Sequence, residues 1–406
     1  MTRFIAILGV LLLAAELRAT DPGEALLPIW PARAHEAALG AKGVVSELPG
    51  DPSAYRSVMV LLRADPGPAR EHARPLLERA GIEDPDAVEI GFEGDNAMFF
   101  IPPRHDADAP EGTRTLLFVS LREGTNGIER TWIAYEATGA TEVRGLAVII
   151  PGTFGYPPDL YEAWSADLRE RGWSVLRLLS QPSRFTERVR VRVGAGTGLE
   201  EGVRFAAHAD DRTAECAYAV EHAARFVEGL DPRLKDTPRA MLGFSGGAIL
   251  APAVVAREPQ RYASVVLVAG GAHAARISID STFMKQYIRS ALFDFTGPEA
   301  AADRAEFEDA YLRHATMDAY HAAARLHAGT RVLVIDGSRD RAVPFETSTL
   351  LFERLRRAGL APLRRTYPTN HVMLFMALKD MIADINTWLD GGELALPPGQ
   401  EATPSP

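Results

Sequence analysis

Four short runs in this chain are almost wholly apolar: residues 145–150, 241–244, 263–269 and 332–335. A run of this kind reads as a strand buried on both faces rather than one that alternates between core and solvent. Between the runs lie stretches with helical spacing. One covers 158–171 and is closed by Gly172; in another, Ala217, Val220, Ala224 and Val227 share a face. Asp210 or Asp211 is expected to cap that second helix. Strand and helix alternating from residue 145 onward predict an α/β domain, with a mostly parallel sheet flanked by helices.

A chain of 406 residues has room for one large domain and a smaller attachment. Residues 1–19 start with Met1-Thr2-Arg3 and continue with about a dozen apolar residues, the pattern of a secretory signal peptide. That run is too short to span a bilayer comfortably, so the mature protein is expected to be exported. An uncleaved leader acting as an N-terminal anchor is the alternative. Residues 20–112 predict a small α+β extension, with a strand at 57–62, a helix at 68–80 and short strands at 87–92 and 97–101. The main domain is expected over 113–390. It opens on a hairpin of 115–120 and 130–135 about the turn Gly124-Thr125-Asn126-Gly127. Residues 391–406, rich in Gly, Pro and small polar side chains, read as a disordered tail.

In open α/β sheets ligand chemistry gathers at the carboxyl ends of the strands. After the run ending at Phe244 comes Ser245, inside Gly243-Phe244-Ser245-Gly246-Gly247. A serine on a sharp strand-to-helix turn needs small neighbours, which this G-x-S-x-G supplies. After the run ending at Ile150 comes Pro151-Gly152-Thr153-Phe154-Gly155. After Ile335 comes Asp336-Gly337-Ser338-Arg339-Asp340-Arg341-Ala342-Val343-Pro344, and near the domain's end stands Asn370-His371. The order is serine, acid, histidine. Asp336 competes with Asp340 for the acid position, being nearer the strand end.

Taken together, these marks resemble the α/β-hydrolase superfamily over roughly residues 113–390, nearest to its serine esterases and lipases. The resemblance implies a helical cap, placed here at about 271–330, and it implies roles. Ser245 would be the nucleophile, His371 the general base and then acid, and Asp340 the residue that orients and stabilises the imidazole. The spacing G-x-x-D-x-x-V-P favours Asp340 over Asp336. Backbone N–H groups of Thr153 and Gly246 would hold the oxyanion. Phe154, Phe244, Phe283 and Met284 are the expected substrate-contacting side chains, with Tyr287, Phe293 and Phe295 as further candidates for apolar lining. The bland alternative is that the aromatic residues of the cap merely pack it onto the core. Two departures from the family's pattern stand out: Pro151-Gly152 where many relatives have His-Gly, and Pro252 within the helix after the nucleophile.

The expected reaction is cleavage of a carboxylic ester through an acyl-enzyme, on a small-molecule ester or acyl substrate and with no cofactor. Acyl transfer or peptide cleavage by the same three residues is the alternative, and a non-catalytic binding protein on a hydrolase scaffold is a third. A net charge of −10 without a Lys/Arg run argues against a nucleic-acid partner. No stable membrane association is expected once the leader is removed. The single cysteine, Cys216, leaves no intrachain disulfide and no thiolate zinc cluster. His314, His321 and His327 lack the H-E-x-x-H spacing of a helical metal site.

Overall fold

A computed structural model describes residues 44–47, 55–61, 74, 77–78, 113–122, 128–153, 158–179, 189–282 and 291–394. The first strands are β1 (Val44–Glu47), β2 (Tyr55–Leu61), β3 (Thr113–Arg122), β4 (Ile128–Glu136), β5 (Gly145–Ile150), β6 (Trp173–Leu178) and β7 (Val189–Val193). They are followed by β8 (Arg239–Phe244), β9 (Tyr262–Val268), β10 (Ala291–Phe295), β11 (Arg331–Gly337) and β12 (Leu363–Tyr367). Ten of these form one sheet in the order β1-β2-β3-β4-β6-β5-β8-β9-β11-β12. From β6 to β12 neighbouring strands are parallel, and from β1 to β6 they are antiparallel.

All four apolar runs became central strands. In β5 and β8 every residue is buried, as strands covered on both faces require. One face is packed by α2 (Gly198–Leu230), α3 (Gly246–Val255), α6 (Ala319–Ala323) and α7 (Phe345–Arg357). The other is packed by α1 (Pro158–Glu170), α8 (His371–Met376) and α9 (Leu378–Leu389). Trp164 of α1 is fully buried there, and its indole N–H donates to Asn386 Oδ1 of α9 at 2.7 Å.

The sheet also takes in part of the N-terminal segment. β2 pairs with β3 over Tyr55–Leu61, and β1 pairs with β2, so these strands extend the main sheet instead of forming a separate unit. The hairpin of β3 and β4 is present in antiparallel register, with Thr115 opposite Ala134. The strands expected at 87–92 and 97–101, most of the helix at 68–80, the leader and the tail beyond residue 394 lie outside the described residues.

Two expectations need correction. Asp210 and Asp211 do not cap a helix, because α2 already begins at Gly198 and runs through them. Asp210 instead accepts hydrogen bonds from Thr316 N, Thr316 Oγ1 and Met317 N at 2.7–2.9 Å, satisfying a turn far along the chain. The cap also draws on more of the chain than 271–330. α4 (Ala274–Asp280), β10 and α5 (Ala300–His314) share a core with β7 and the first turns of α2, where Val191, Val193, Phe205, Phe307 and Tyr311 are buried together. β7 and β10 form a two-stranded parallel sheet of their own.

Candidate active site

β5 stands at the point where the strand order reverses: the chain leaves it toward β6 on one side and returns on the other as β8. The crevice at the carboxyl ends of these strands is where an open α/β sheet places its ligand chemistry. Ser245 follows β8 directly, and the loop carrying Thr153 follows β5.

Ser245 has φ 50° and ψ −116°, a conformation that an L-residue adopts only under constraint. The constraint comes from both sides. Its N–H donates to Val268 O of β9 at 2.8 Å, and its carbonyl accepts from Ala248 and Ile249 at the start of α3. A side chain at Gly247 would drive a Cβ into the carbonyl oxygens of Ile150 and Pro151, so only glycine lets α3 start this close to β5. Ala269 and His273, in the loop after β9, are the other non-glycine residues with positive φ among the described residues. Backbone strain is thus concentrated at the carboxyl ends of β8 and β9, and it commonly gathers at functional sites.

His371 is the first residue of α8. Asn370 caps that helix, its Oδ1 accepting from Met373 N at 3.0 Å, which fixes where the imidazole leaves the backbone. The ring bridges two partners. Its Nε2 lies 3.0 Å from Ser245 Oγ, and its Nδ1 lies 2.6 Å from Asp340 Oδ2. Phe375 packs edge-on against it, with ring centroids 4.9 Å apart. The other oxygen of Asp340 accepts from Ala342 N at 2.8 Å and Val343 N at 3.0 Å, so the carboxylate is held at both ends. Both His371 and Asp340 are buried. A side chain at Gly337 would meet Thr369 O, so this glycine lets the loop after β11 lie against the loop that delivers His371.

Asp336, the rival acid, has different work. Its Oδ2 accepts from Ser348 Oγ and from Arg364 Nε, each at 2.8 Å, and it points away from the histidine into that pair. Sequence order alone did not separate the two aspartates; their partners do.

The structure therefore brings Ser245, His371 and Asp340 into one chain of contacts. Gly246 is buried at the first position of α3, where its N–H has no intrahelical acceptor, and Thr153 is half-buried in the turn after β5. Phe244 must be reassigned. It is fully buried in the core between the sheet and α1, with Trp164 and Tyr161 edge-on against it at 5.3 and 5.8 Å, which is a packing role. Phe154, Phe283, Met284 and Tyr287 lie outside the described residues. Phe293 and Phe295 stack on each other and meet Phe307 edge-on inside the cap, which is the packing role. His321 is buried with Nε2 2.6 Å from Leu312 O, and His327 Nδ1 accepts from Gly329 N, so these histidines do not converge on a metal.

One contribution was missed in the sequence. Asp318 accepts from His273 N, Ala274 N, Tyr311 Oη and Tyr320 N at 2.7–2.8 Å, clamping the strained loop after β9 to the base of the cap. Only an aspartate just before a short helix hinted at it.

The sheet order, the antiparallel β4, the strained serine after β8 and the histidine after β12 decide the architecture. This is the α/β-hydrolase fold. Residues 230–390 match the model of the prolyl oligopeptidase family, a span that contains the serine, the aspartate and the histidine. That match supports a serine hydrolase without choosing between ester and peptide bonds. Among curated proteins, none matches the sequence. Solved structures similar to the chain include an acylaminoacyl peptidase from Pyrococcus horikoshii, at 12% identity and a TM-score of 0.42, covering 67% of this chain and 41% of that one. The chain thus spans about two fifths of that peptidase's length. A thermostable carboxyl esterase from Bacillus coagulans is similar at 14% identity and a TM-score of 0.42, covering 65% of this chain and 94% of the esterase. A cold-adapted esterase from an Arctic intertidal metagenomic library is similar at 15% identity and a TM-score of 0.42, over 70% and 96% of the two chains.

Proposed function

We propose that the protein hydrolyses carboxylic esters through a covalent acyl-enzyme formed on Ser245. The observation that carries this reading is the pair of contacts through one imidazole, 3.0 Å to Ser245 Oγ and 2.6 Å to Asp340 Oδ2. His371 Nε2 takes the Ser245 proton as Oγ bonds to the carbonyl carbon. Asp340 holds Nδ1–H and stabilises the imidazolium. The N–H groups of Gly246 and Thr153, beside Ser245 and after β5, are the donors this reading assigns to the tetrahedral oxyanion. As the carbon–oxygen bond to the alcohol breaks, His371 returns the proton to the leaving oxygen. Water then repeats the sequence: His371 deprotonates it, it attacks the acyl carbon, and Ser245 Oγ leaves with the proton.

Peptide cleavage by the same residues is the second reading, favoured by the prolyl oligopeptidase match over residues 230–390. Matched substrates separate the two. With one acyl group presented as a p-nitrophenyl ester and as a p-nitroanilide, the ester reading expects turnover of the ester alone. Efficient cleavage of a peptidyl anilide overturns it in favour of a peptidase. Adding methanol tests acyl transfer, which appears as methyl ester in place of free acid. We also propose that the chain is exported by its leader, for which the support is the apolar run after Arg3; cell fractionation of the full-length protein tests this.

A further inference from the structure

The loop between β9 and α4 carries two of the non-glycine positive φ angles among the described residues, Ala269 at 53° and His273 at 68°. Neither side chain prefers that conformation, because a Cβ in the left-handed region crowds the following carbonyl. Contacts on several sides hold the loop in it. Ser245 N donates to Val268 O at 2.8 Å, Ala269 N to Ile335 O at 2.7 Å and Ala272 N to Thr347 O at 3.0 Å. Gly270 lies so close to the first turn of α3 that a Cβ there would stand 2.7 Å from that of Ala248. The loop is therefore a wall behind the nucleophile. It adjoins the acceptor of the serine's own N–H, packs on the helix that starts at Gly246 and bonds to the strand that leads to the acid.

One carboxylate closes the far end of this loop. Asp318 is buried and caps α6, its Oδ1 accepting from Tyr320 N and from His273 N, each at 2.8 Å. Its Oδ2 accepts from Ala274 N at 2.7 Å and from Tyr311 Oη at 2.8 Å. Each oxygen serves two donors, the full capacity of an ionised carboxylate. His273 is held further by its ring. The imidazole Nδ1 accepts from Arg276 N at 3.3 Å, and the ring stacks on Tyr311 with centroids 5.4 Å apart.

We propose that Asp318 is a positioning residue for Ser245: it keeps His273 in the left-handed region and so keeps the loop pressed against the nucleophile turn. It acts through the backbone and touches no substrate. Without it His273 relaxes to negative φ, the loop lifts from Ala248, and Val268 O moves with it. Ser245 Oγ then leaves its 3.0 Å line to His371 Nε2. The catalytic consequence rests on the hydrolase reading. It falls on kcat rather than KM, because alignment with the imidazole serves the reacting state and not the binding of substrate.

The test compares wild type, Asp318→Ala, Asp318→Asn, and Asp318→Ala combined with His273→Gly, all per folded molecule. Two readouts are taken: hydrolysis of a short p-nitrophenyl ester, and amide hydrogen exchange over residues 244–249. Asp318→Ala is expected to lose about 10²-fold in kcat with KM within about threefold, the scale of a displacement near 1 Å at the reacting atoms. Exchange over 244–249 is expected to rise more than exchange in β6. Asp318→Asn keeps one oxygen for His273 N and Tyr320 N, so its loss is expected to be smaller, about tenfold. Glycine takes the left-handed angles without a clamp, so adding His273→Gly is expected to return about fivefold in kcat and to restore protection. Where Asp318→Ala does not fold, the asparagine variant with and without His273→Gly is read in the same way.

Wild-type kcat in the Asp318 variants, whatever their melting temperature, overturns the proposal. So does a loss carried by KM, and so does a loss that His273→Gly leaves untouched, since either is what a merely structural residue would give. Ester turnover that is indifferent to Asp318 sinks the positioning alone. A wild type that turns over no ester sinks the hydrolase reading, and exchange then decides the positioning by itself: a selective rise over 244–249 upholds it and unchanged protection refutes it.

Discussion

Replacing Asp340 by asparagine changes one oxygen to an amino group, and the surroundings dictate which one. The oxygen facing Ala342 N and Val343 N accepts two hydrogen bonds, at 2.8 and 3.0 Å. Turning the amide over would set an NH₂ against two donors, at about 1–3 kcal/mol for each bond lost. The asparagine therefore keeps its oxygen there and aims its NH₂ at His371 Nδ1. The imidazole must then present a lone pair at Nδ1 and a proton at Nε2, the nitrogen 3.0 Å from Ser245 Oγ. In that tautomer it cannot accept the serine proton. Holding the wrong tautomer by roughly 4–5 kcal/mol corresponds to a loss of ~10³–10⁴ in kcat/KM. The assay is hydrolysis of a short p-nitrophenyl ester beside a melting curve. A variant within tenfold of wild type and equally stable refutes the argument. Asp336→Asn is the control. It weakens the buried contact to Arg364 and Ser348, so a lower melting temperature is expected, with kcat/KM per folded molecule within about threefold of wild type.

Gly247→Ala should be nearly inactive and destabilised by about 2–4 kcal/mol, since the new methyl meets the Ile150 and Pro151 carbonyls; near-normal activity and melting would contradict that packing. Burial pushes the Asp210 carboxyl from 3.8 up to about 7, against the hydrogen bonds from Thr316 and Met317. A carboxyl whose folded pKa is raised binds its proton more tightly in the native state. Its contribution is therefore complete below about pH 4 and is lost as pH rises to about 7, on the order of 2–4 kcal/mol in all. Melting temperatures at pH 5 and pH 8 should accordingly differ more in wild type than in Asp210→Asn; equal slopes would show that Asp210 is not the titrating group.

Much of the fold was legible because continuous apolar runs have few alternatives to buried parallel strands, and β5, β8, β9 and β11 appear where the runs are. Ser245 was legible because its glycines are a steric necessity of the turn. What failed depended on partners distant in sequence. Asp210 looks like a cap because it precedes an apolar face, yet its acceptors serve Thr316 and Met317. Phe244 adjoins Ser245, but its ring turns into the core and meets Trp164. The pairing of β7 with β10 joins segments about a hundred residues apart and needed the fold. The choice between Asp336 and Asp340 likewise rested on Arg364 and His371, each reached only through tertiary contact.

The most direct test of the central claim is covalent labelling by a fluorophosphonate probe, with wild type, Ser245→Ala and His371→Ala compared at equal concentration of folded protein. The account predicts rapid labelling of wild type, none of Ser245→Ala, and labelling of His371→Ala slowed by ~10³-fold or more. Wild type that fails to react, or Ser245→Ala that reacts equally, would contradict it.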